Sequence, residues 1–517
     1  METELETRRR FTAQLPGNLL SNIAYFLVNI AIGILLVPYF ISTLGIAAYG
    51  LIPLASSVTG YVAIVVQSLN STVSRFLTID LQKNDYEAAN RTFNTAFFGL
   101  SLVIALMIPI VLIVSYFVPV IFNVPAGQET GAIILFICAS CAFFIRSLNG
   151  TFTVQLFAYN RLDLMNLVNV VNLLFQVGLT VLLFMLKGPS LVFVGVGYLG
   201  GAILASAVAI ILAKRVCPHL HLSSGSFDRS RVKDLGEMGG WVFINQIGAL
   251  LFLQIDLIVV NILFGATSAG EYAIVLTWGN QLRAIAGVLG GVLTPMILTF
   301  YAREKTETMI QITKSAVKLM GLSMALPIGL VCGFAPQLLT VWVGAQYSFL
   351  APLMILLTVH LLINLTVLPL FSITTAYNRV RLPGIVTLIL GIGNLALAVI
   401  LSLFTGWGYF GVAAAGAIVL TFKNAVFTPW YTAKVLGVGS PTFIRAMFPG
   451  LVAGLFLAVI AVLLGIFLPL SSLIPLIITC GCLAIAYAIF MWRHGLSDVE
   501  RTLFGSYLPE KIRRYVQ

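Results

Sequence analysis

Charged side chains are scarce in this sequence, and that scarcity decides its class. Asp, Glu, Lys and Arg make up 9% of its 517 residues, against roughly 25% in an average globular domain. Hydrophobic residues make up 59%, and the mean hydropathy is +1.03. A soluble multidomain enzyme is excluded, because such a chain has too little polar surface to cover its apolar side chains. Disorder is excluded for the same reason. The composition predicts an all-α, polytopic integral membrane protein.

Cysteine and histidine are also few, with six and four residues. Cys138 and Cys141 form a C-x-x-C pattern and Cys480 and Cys482 a C-x-C pattern, both inside hydrophobic stretches. Neither has a second cysteine pair or a histidine cluster nearby, as a zinc site would require. We therefore expect no metal site. We also expect no cofactor and no catalytic residue.

Apolar windows long enough to cross a bilayer, about 20 residues each, predict fourteen transmembrane helices. The predicted spans are 18–42, 49–72, 93–119, 130–157, 163–186, 191–213, 239–263, 270–300, 314–335, 347–376, 383–404, 409–433, 444–468 and 472–492.

The basic residues test this count. Of the 29 Lys and Arg residues, 25 fall at the two termini or at even-numbered connections, and Lys187 alone falls on the opposite side. The remaining three lie inside spans. Because cytoplasmic loops carry an excess of Lys and Arg, this alternation predicts a multi-pass protein of the cytoplasmic membrane with both termini in the cytoplasm.

The chain repeats itself. The residues Ala-Tyr-Asn-Arg at 158–161 recur at 376–379, an offset of 218. Two glycine pairs agree at an offset of 220: Gly45 with Gly265 and Gly50 with Gly270. Spans one to six are therefore interpreted as duplicated in spans seven to twelve. Since six is even, both halves run in the same direction.

This duplication defines the predicted domains. They are an N-terminal six-helix half (1–213), a cytoplasmic linker (214–238), a second six-helix half (239–435), two extra transmembrane helices (436–493) and a basic amphipathic cytoplasmic tail (494–517). Two parallel six-helix halves are typical of transporters, in which the substrate site lies between the halves and rocking exposes it to either side. We expect a transporter without enzymatic activity, acting as a monomer.

Ionisable residues inside the spans are the first candidates for a site, because each is costly in a bilayer. Arg146, Arg283 and Lys423 are the cations, and Asp256 is the well-buried anion. Arg283 either lines a cavity or pairs with Asp256, and Arg146 either lines a cavity or anchors its helix. Lys423 binds substrate or extends to the interface. Asp256 is a counter-ion or a site for a coupling ion. A net basic cavity suits an anionic substrate, and arginine suits phosphate.

Uncharged polar side chains at helical spacing are the second set of candidates. They are Asn22 and Asn29 in span one, Gln67 and Asn70 in span two, Asn245 in span seven and Asn280 in span eight. We interpret them as a wet wall that contacts sugar hydroxyls, with interhelical hydrogen bonding as the alternative. For the stripe Asn166, Asn169, Asn172 and Gln176 in span five, interhelical bonding is the favoured interpretation.

Fourteen spans in two parallel repeats, with Arg161 and Arg379 closing spans four and ten, resemble the multidrug/oligosaccharidyl-lipid/polysaccharide (MOP) exporter superfamily. The segments NLLSNIAYFLVNIAIGILLVPYFISTLGIAAYG and SRFLTIDLQKNDYEAANRTFNTA look typical of its polysaccharide-transporter branch, the O-antigen and exopolysaccharide repeat-unit flippases. The similarity runs over about residues 15–435. The superfamily's lipid II flippases also have two extra C-terminal helices, but they carry charged residues in span one, and this chain has none there. The drug exporters of the superfamily usually have acidic cavities, whereas the cavity predicted here is net basic.

The resemblance implies a flippase that moves polyprenyl-pyrophosphate-linked glycan units to the outer leaflet by alternating access, for cell-surface polysaccharide biosynthesis. Expected partners are this lipid-linked oligosaccharide and membrane lipid, with a polysaccharide polymerase and glycosyltransferases as candidate protein partners and no nucleic acid. One alternative is a cation-coupled drug or metabolite antiporter of the same superfamily. A second alternative is a membrane glycosyltransferase or glycan ligase, which would need catalytic groups in a sizeable external loop.

Overall fold

The computed structural model describes residues 2–83, 85–228, 247–248, 250–252, 254–302, 306–497 and 501. All regular structure in these residues is helical. The helices before residue 217 are α1 (Glu2–Leu44), α2 (Ile46–Gln82), α3 (Tyr86–Tyr116), α4 (Val118–Ile121), α5 (Glu129–Ala158), α6 (Leu162–Lys187) and α7 (Leu191–Val216).

The helices after the middle of the chain are α8 (Ile255–Ala302), α9 (Thr306–Gly333), α10 (Ala335–Trp342), α11 (Ala351–Val359), α12 (Leu361–Asn364), α13 (Leu368–Ala376), α14 (Arg381–Phe404), α15 (Tyr409–Phe422), α16 (Thr428–Leu436), α17 (Pro441–Phe467) and α18 (Leu473–Phe490). Short 3-10 helices lie at Ser224–Ser226 and Ala345–Leu350, and π-helices at Lys423–Phe427 and Met491–Gly495.

The predicted spans fall on these helices. Twelve described helices are long and apolar enough to cross a membrane. Helix α2 accounts for one further predicted span, and α8, already one of the twelve, contains the end of the predicted seventh span as well as the eighth, on either side of a turn at Gly265. Residues 229–246, which include the end of the predicted linker and the start of the predicted seventh span, lie outside the described residues. The all-α, polytopic fold with about fourteen spans is therefore confirmed. Most of the predicted tail, 494–517, lies outside the described residues.

Glycine permits the reversals at the start of each repeat. Gly45 has φ of 82° between α1 and α2, and Gly265 has φ of 88° inside α8. An L-residue with a side chain is strained in this region, whereas glycine is not. The other paired glycines, Gly50 and Gly270, contact each other. A methyl group added at Gly50 would lie 2.7 Å from the backbone nitrogen of Gly270.

The repeated Ala-Tyr-Asn-Arg segments adopt one backbone structure. Asn160 and Asn378 have φ of 56° and 52°, and no other described non-glycine residue has positive φ. In the first copy the Arg161 N–H donates to the Leu156 carbonyl at 2.8 Å and the Asn160 N–H to Phe157 at 2.9 Å. The second copy repeats both bonds, from Arg379 to Thr374 at 2.8 Å and from Asn378 to Thr375 at 3.0 Å. Both are Schellman motifs, in which a left-handed residue ends the helix and satisfies its last carbonyls.

The predicted tenth span is broken. It consists of α11, α12 and α13, with His360 in the first break and residues 365–367 in the second. Pro369 stands in the first turn of α13, where its missing N–H is tolerated. A single apolar window therefore contains three helical pieces, and hydropathy does not reveal the breaks.

The described chain divides into two compact units, residues 1–273 with 387–392 and residues 274–386 with 393–517. In the second unit α17, the predicted thirteenth span, packs on α9 through small residues. Gly450 meets the backbone of Gly321, and the Gly454 carbonyl would lie 3.0 Å from a methyl group at Gly329. The hydroxyl of Tyr487 in α18 donates to the Leu322 carbonyl at 2.7 Å. The two extra helices are thus integral to this unit.

Candidate substrate cavity

A cavity of about 450 Å³ lies within the first unit, between α2, α5, α6 and α7. This volume is within the range of small-molecule sites, roughly 300–1,000 Å³. Its lining combines small apolar residues with one charged and several polar side chains. The lining residues are Ser56, Thr59, Gly60, Ala63, Ala139, Ala142, Phe143, Arg146, Ser147, Asn172, Gln176 and Tyr198.

Glycines on α7 let the cavity walls come together. A methyl group at Gly195 would lie 3.1 Å from the Leu135 Cα of α5, and one at Gly201 would lie 2.8 Å from the Asn172 carbonyl of α6. Close approach through small residues is how membrane helices gain packing energy without a hydrophobic driving force. The lining residues on α2 are small, so their side chains do not fill the cavity.

Arg146 is the one charged residue among the described residues that line the cavity. Arg146 is exposed, and the described lining residues include no carboxylate. A guanidinium carries five N–H donors in a planar fork that matches phosphate or carboxylate oxygens. The cavity therefore has the chemistry of an anion site.

The polar stripe of α6 divides between two roles. Asn166 donates to the Ser21 hydroxyl at 3.1 Å and to the Asn22 side-chain oxygen at 2.6 Å, so it joins α6 to α1 as expected. Asn172 and Gln176 instead line the cavity. Asn172 is 5% exposed, and its side-chain oxygen accepts no hydrogen bond from any described residue. Asn172 is therefore a lining residue with a buried acceptor that the described structure leaves without a hydrogen bond.

Of the predicted polar candidates in spans one, two and seven, Asn22 and Asn29 have side chains that the structure describes, and neither is among the residues that line this cavity. Asn22 accepts the bond from Asn166, and Asn29 lies half-buried on α1. The side chains of Gln67 and Asn70 lie outside the described residues, as does all of Asn245. Their predicted contacts with sugar stay predictions.

Arg283 and Asn280 lie together in the second unit. The Arg283 guanidinium donates to the Asn280 side-chain oxygen at 3.3 Å, as their one-turn spacing predicts. Arg283 also interacts electrostatically with the buried His360 in the first break of the tenth span. The amide of Asn364 contacts the His360 Nδ1 at 2.6 Å and accepts from Asn424 at 2.9 Å. A polar chain thus connects the broken span to the π-helix.

Lys423 begins that π-helix, with its ammonium 5.6 Å from the centre of the Phe371 ring. π-Helical turns inside α-helices are frequent at functional sites. Asp256, in the first unit, is 9% exposed and accepts a hydrogen bond from the Tyr272 hydroxyl at 3.1 Å. The structure therefore places Arg146 and Asp256 in one unit and Arg283, Asn280 and Lys423 in the other.

The sequence interpretation missed Ser56, Thr59, Ser147 and Tyr198 of the cavity lining. One signal was present. Ser56 and Thr59 are three residues apart, so they lie on one face of α2. The Ser147 hydroxyl donates to the Phe143 carbonyl of its own helix at 2.8 Å. Isolated serines in apolar helices commonly form this bond, so the serine in the sequence did not indicate a cavity.

Comparison with known proteins agrees with this structure. The family model described as polysaccharide biosynthesis protein matches residues 17–300. The uncharacterized membrane protein EpsK of Bacillus subtilis (strain 168) is 31% identical over 487 residues, which cover 94% of this chain and 96% of that protein.

Solved structures show the same fold. An inward-facing multidrug resistance MATE family transporter of the MOP superfamily matches with a TM-score of 0.60 at 17% identity, covering 80% of this chain and 95% of that chain. The lipid II flippase MurJ, in an inward closed conformation, also matches with a TM-score of 0.60 at 14% identity, covering 92% and 98%.

Proposed function

The chain belongs to the family of polysaccharide biosynthesis proteins, and we propose that it is a flippase for polyprenyl-pyrophosphate-linked glycan units. It would move them from the cytoplasmic to the outer leaflet of the cytoplasmic membrane by alternating access. The observation that carries this proposal is the first-unit cavity, whose described lining combines Arg146 with several hydroxyl and amide side chains and includes no carboxylate.

The cavity chemistry fits both parts of such a headgroup. Arg146 would bind a phosphate oxygen pair through its guanidinium. Hydroxyl and amide side chains, as in Ser56, Thr59 and Gln176, would exchange hydrogen bonds with sugar hydroxyls. The polyprenyl tail would remain in lipid, because its transfer into a polar cavity is unfavourable.

The other predicted residues, which are divided between the two units, would supply further contacts. Within the second unit, we assign Arg283, with Asn280, to phosphate binding and Lys423 to the approach of the headgroup. Asn22, Asn29, Gln67, Asn70 and Asn245 are assigned to sugar. An inside-negative potential favours outward movement of negative charge by about 2.3 kcal/mol per charge per 100 mV, so the substrate charge itself provides part of the driving force.

The test is reconstitution of the full chain into liposomes with a fluorescent lipid-linked oligosaccharide, scored by its access from the opposite leaflet. Arg146→Gln should lower the initial rate about 10- to 100-fold, since a hydrogen bond to a charged group contributes about 1.5–3 kcal/mol. Arg146→Lys should retain more activity, because the charge remains.

Arg91→Gln is the matched control. It also removes one positive charge, but Arg91 forms an exposed ion pair with Glu87 at 3.2 Å, outside the cavity lining. Its rate should equal that of the wild type. Equal rates for Arg146→Gln and the wild type, at equal protein incorporation, would contradict the assignment.

A cation-coupled antiporter is the second candidate, and buried Asp256 favours it. In that case Asp256→Asn would abolish transport of a cationic drug driven by a proton or sodium gradient. For the flippase we expect movement of the lipid-linked oligosaccharide with no drug transport in the same liposomes. A membrane glycosyltransferase would instead lengthen or transfer the labelled glycan, which chromatography of the recovered lipid would detect.

A further inference from the structure

Two hydroxyl groups that line the first-unit cavity already use their hydrogens. The Thr59 hydroxyl donates to the Ala55 carbonyl at 2.7 Å. The Ser147 hydroxyl donates to the Phe143 carbonyl at 2.8 Å. Thr59 is 8% exposed and Ser147 is 6% exposed. A hydroxyl has one hydrogen and two lone pairs, so Thr59 and Ser147 each offer a ligand a hydrogen-bond acceptor.

Asn172 offers a third acceptor. It lines the same cavity at 5% exposure, and its side-chain oxygen accepts no hydrogen bond from any residue that the structure describes. A buried acceptor without a bond is unfavourable, so a ligand that donates to it gains affinity. A sugar hydroxyl both donates and accepts, and it therefore satisfies the Asn172 amide in either orientation. We call Thr59, Ser147 and Asn172 the acceptor wall.

Glycines of α7 hold the α6 part of the acceptor wall in place. A methyl group at Gly201 would lie 2.8 Å from the backbone carbonyl oxygen of Asn172, and one at Gly197 would lie 2.8 Å from that of Gln176. The two glycines are one turn apart, so α7 packs closely on the turn of α6 that carries Asn172. The backbone of Asn172 is therefore fixed before a ligand binds, and a fixed polar group costs less to order on binding.

Arg146 supplies the complementary chemistry in this cavity. Its guanidinium carries only hydrogen-bond donors, and it lines the cavity together with the acceptor wall. An ionised phosphate diester accepts from Arg146 but brings no donor to the acceptor wall. A sugar attached to that phosphate brings several hydroxyl donors. The lining therefore suits a ligand in which an anion and a sugar are joined.

We propose that the acceptor wall recognises the hydroxyl groups of the sugar attached directly to the diphosphate, with Asn172 as the residue that determines this specificity. The inference rests on the proposed function, because it takes Arg146 as the phosphate contact. The acceptor wall and Arg146 line one cavity of about 450 Å³, so the sugar nearest to the phosphate is the one within reach. A site built to bond a hydroxyl rejects an analogue that lacks it. The cavity would therefore leave the empty carrier lipid in the cytoplasmic leaflet.

Two synthetic ligands separate sugar recognition from phosphate binding. One is farnesyl diphosphate esterified with glucose. The other is its cyclohexyl ester, which has the same charge and a six-membered ring but no hydroxyl. The affinity of the full chain for each ligand is measured in neutral detergent by microscale thermophoresis. The wild type should bind the glucosyl ligand about tenfold more tightly, on the order expected when a ligand satisfies a buried polar group.

Variants of the acceptor wall should reduce this preference. Asn172→Leu should weaken binding of the glucosyl ligand about tenfold and leave the cyclohexyl ligand unchanged. Thr59→Val keeps the shape of the side chain and should weaken glucosyl binding about threefold. Thr313→Val is the matched control. Thr313 is also buried and donates to the Met309 carbonyl at 2.7 Å, but it lies in the second unit, so this variant should bind both ligands as the wild type does.

Unfolding of the ligand-free protein shows whether Asn172 is a binding residue or a structural one. Asn172→Leu removes an oxygen that no described residue bonds to, so it should not lower the unfolding temperature. Asn166→Leu, on the same helix, removes the bonds to Ser21 and Asn22 and should lower it. An equal drop for both variants would mean that Asn172 stabilises the fold, and it would overturn the proposal.

Equal affinity of the wild type for the two ligands would also overturn the proposal, as would a glucosyl preference that Asn172→Leu and Thr59→Val leave unchanged. The two proposals fail separately. Arg146→Gln should weaken binding of both ligands alike, because they share the diphosphate. Normal flipping by Arg146→Gln would contradict the proposed function. An absent glucosyl preference, with both ligands weakened by Arg146→Gln, would remove the sugar site and leave the phosphate assignment intact.

Discussion

The first junction, Ala158–Asp163, and the second junction, Ala376–Arg381, are two copies of one turn. Each ends a helix with an asparagine in the left-handed region, and the two backbone hydrogen bonds that follow differ by no more than 0.1 Å between the copies. The side chains around the turns differ. At the first junction Asn18 donates to the Asn160 carbonyl and accepts from the Asp163 N–H. At the second, Tyr431 donates to the Arg379 carbonyl.

This difference separates two kinds of constraint on the repeat. The turn must satisfy the last carbonyls of a helix where the chain reverses, and both copies solve this in the same way. The charge beside the turn is under no such geometric demand. One copy neutralises its arginine and the other adds a second arginine, so we infer that shape was retained while chemistry diverged.

The largest expected effect on stability is at a second feature common to the two repeats, the contact between the paired glycines Gly50 and Gly270. We expect Gly50→Leu to lower stability by about 3 kcal/mol, at the upper end for overpacking, because the new side chain would meet backbone atoms that cannot rotate away. Thermal unfolding of the purified protein in detergent, together with its yield, measures this loss.

Gly99→Leu is the control for that substitution. Gly99 lies inside α3, and a methyl group there would have no atom within 4 Å. It should unfold close to the wild-type temperature. Similar destabilisation by both variants would show that leucine itself, rather than the contact between the paired glycines, is responsible.

The spans, the repeat and its turns could be predicted because each leaves a local signal. Apolar length marks a span, and a recurring Ala-Tyr-Asn-Arg or a glycine at matched offsets marks the repeat. The cavity lining left little signal, because which face of an apolar helix is wet depends on its neighbours. Asn166 and Asn172 share the α6 stripe, yet one bonds to α1 and the other faces the cavity.

The breaks of the tenth span escaped prediction for a related reason. Residues 347–376 read as one apolar run, and the breaks beside His360 and before Leu368 are stabilised by partners distant in sequence, such as Asn424 on Asn364. Long-range hydrogen bonds of this kind have no hydropathy signature.

A smaller effect is expected at the turn asparagines. Asn378→Ala should cost about 1 kcal/mol, since a residue with a Cβ is disfavoured in the left-handed region, whereas Asn378→Gly should be neutral or slightly stabilising. Asn160→Ala should cost somewhat more, because the Asn160 side chain also bonds to Gln14 at 3.3 Å. Unfolding temperatures of these three variants test whether the turns are energetically as alike as their geometry.

The ion pair of the first junction should contribute less to stability than the turn asparagines do. Arg161 and Asp163 are 33% and 35% exposed, so solvent screens the pair, and Asp163→Asn should cost about 0.5–1 kcal/mol. The loss should shrink in high salt, which screens exposed charges. A loss that is independent of salt would mean that the substitution acts through the Asn18 contacts and not through charge.

The smallest expected change in stability comes from giving the second junction the charge pattern of the first. Arg381→Asp places a carboxylate two residues after Arg379, the spacing of Arg161 and Asp163. The backbone is already the same, so an ion pair could form without rearrangement. Solvent exposure limits the gain to about 0.2–0.5 kcal/mol, which thermal unfolding in low and high salt can resolve. A gain lost in high salt would show that the turn accepts either charge pattern. A marked destabilisation would instead assign Arg381 a packing role, and the two junctions would then differ in structure as well as in charge.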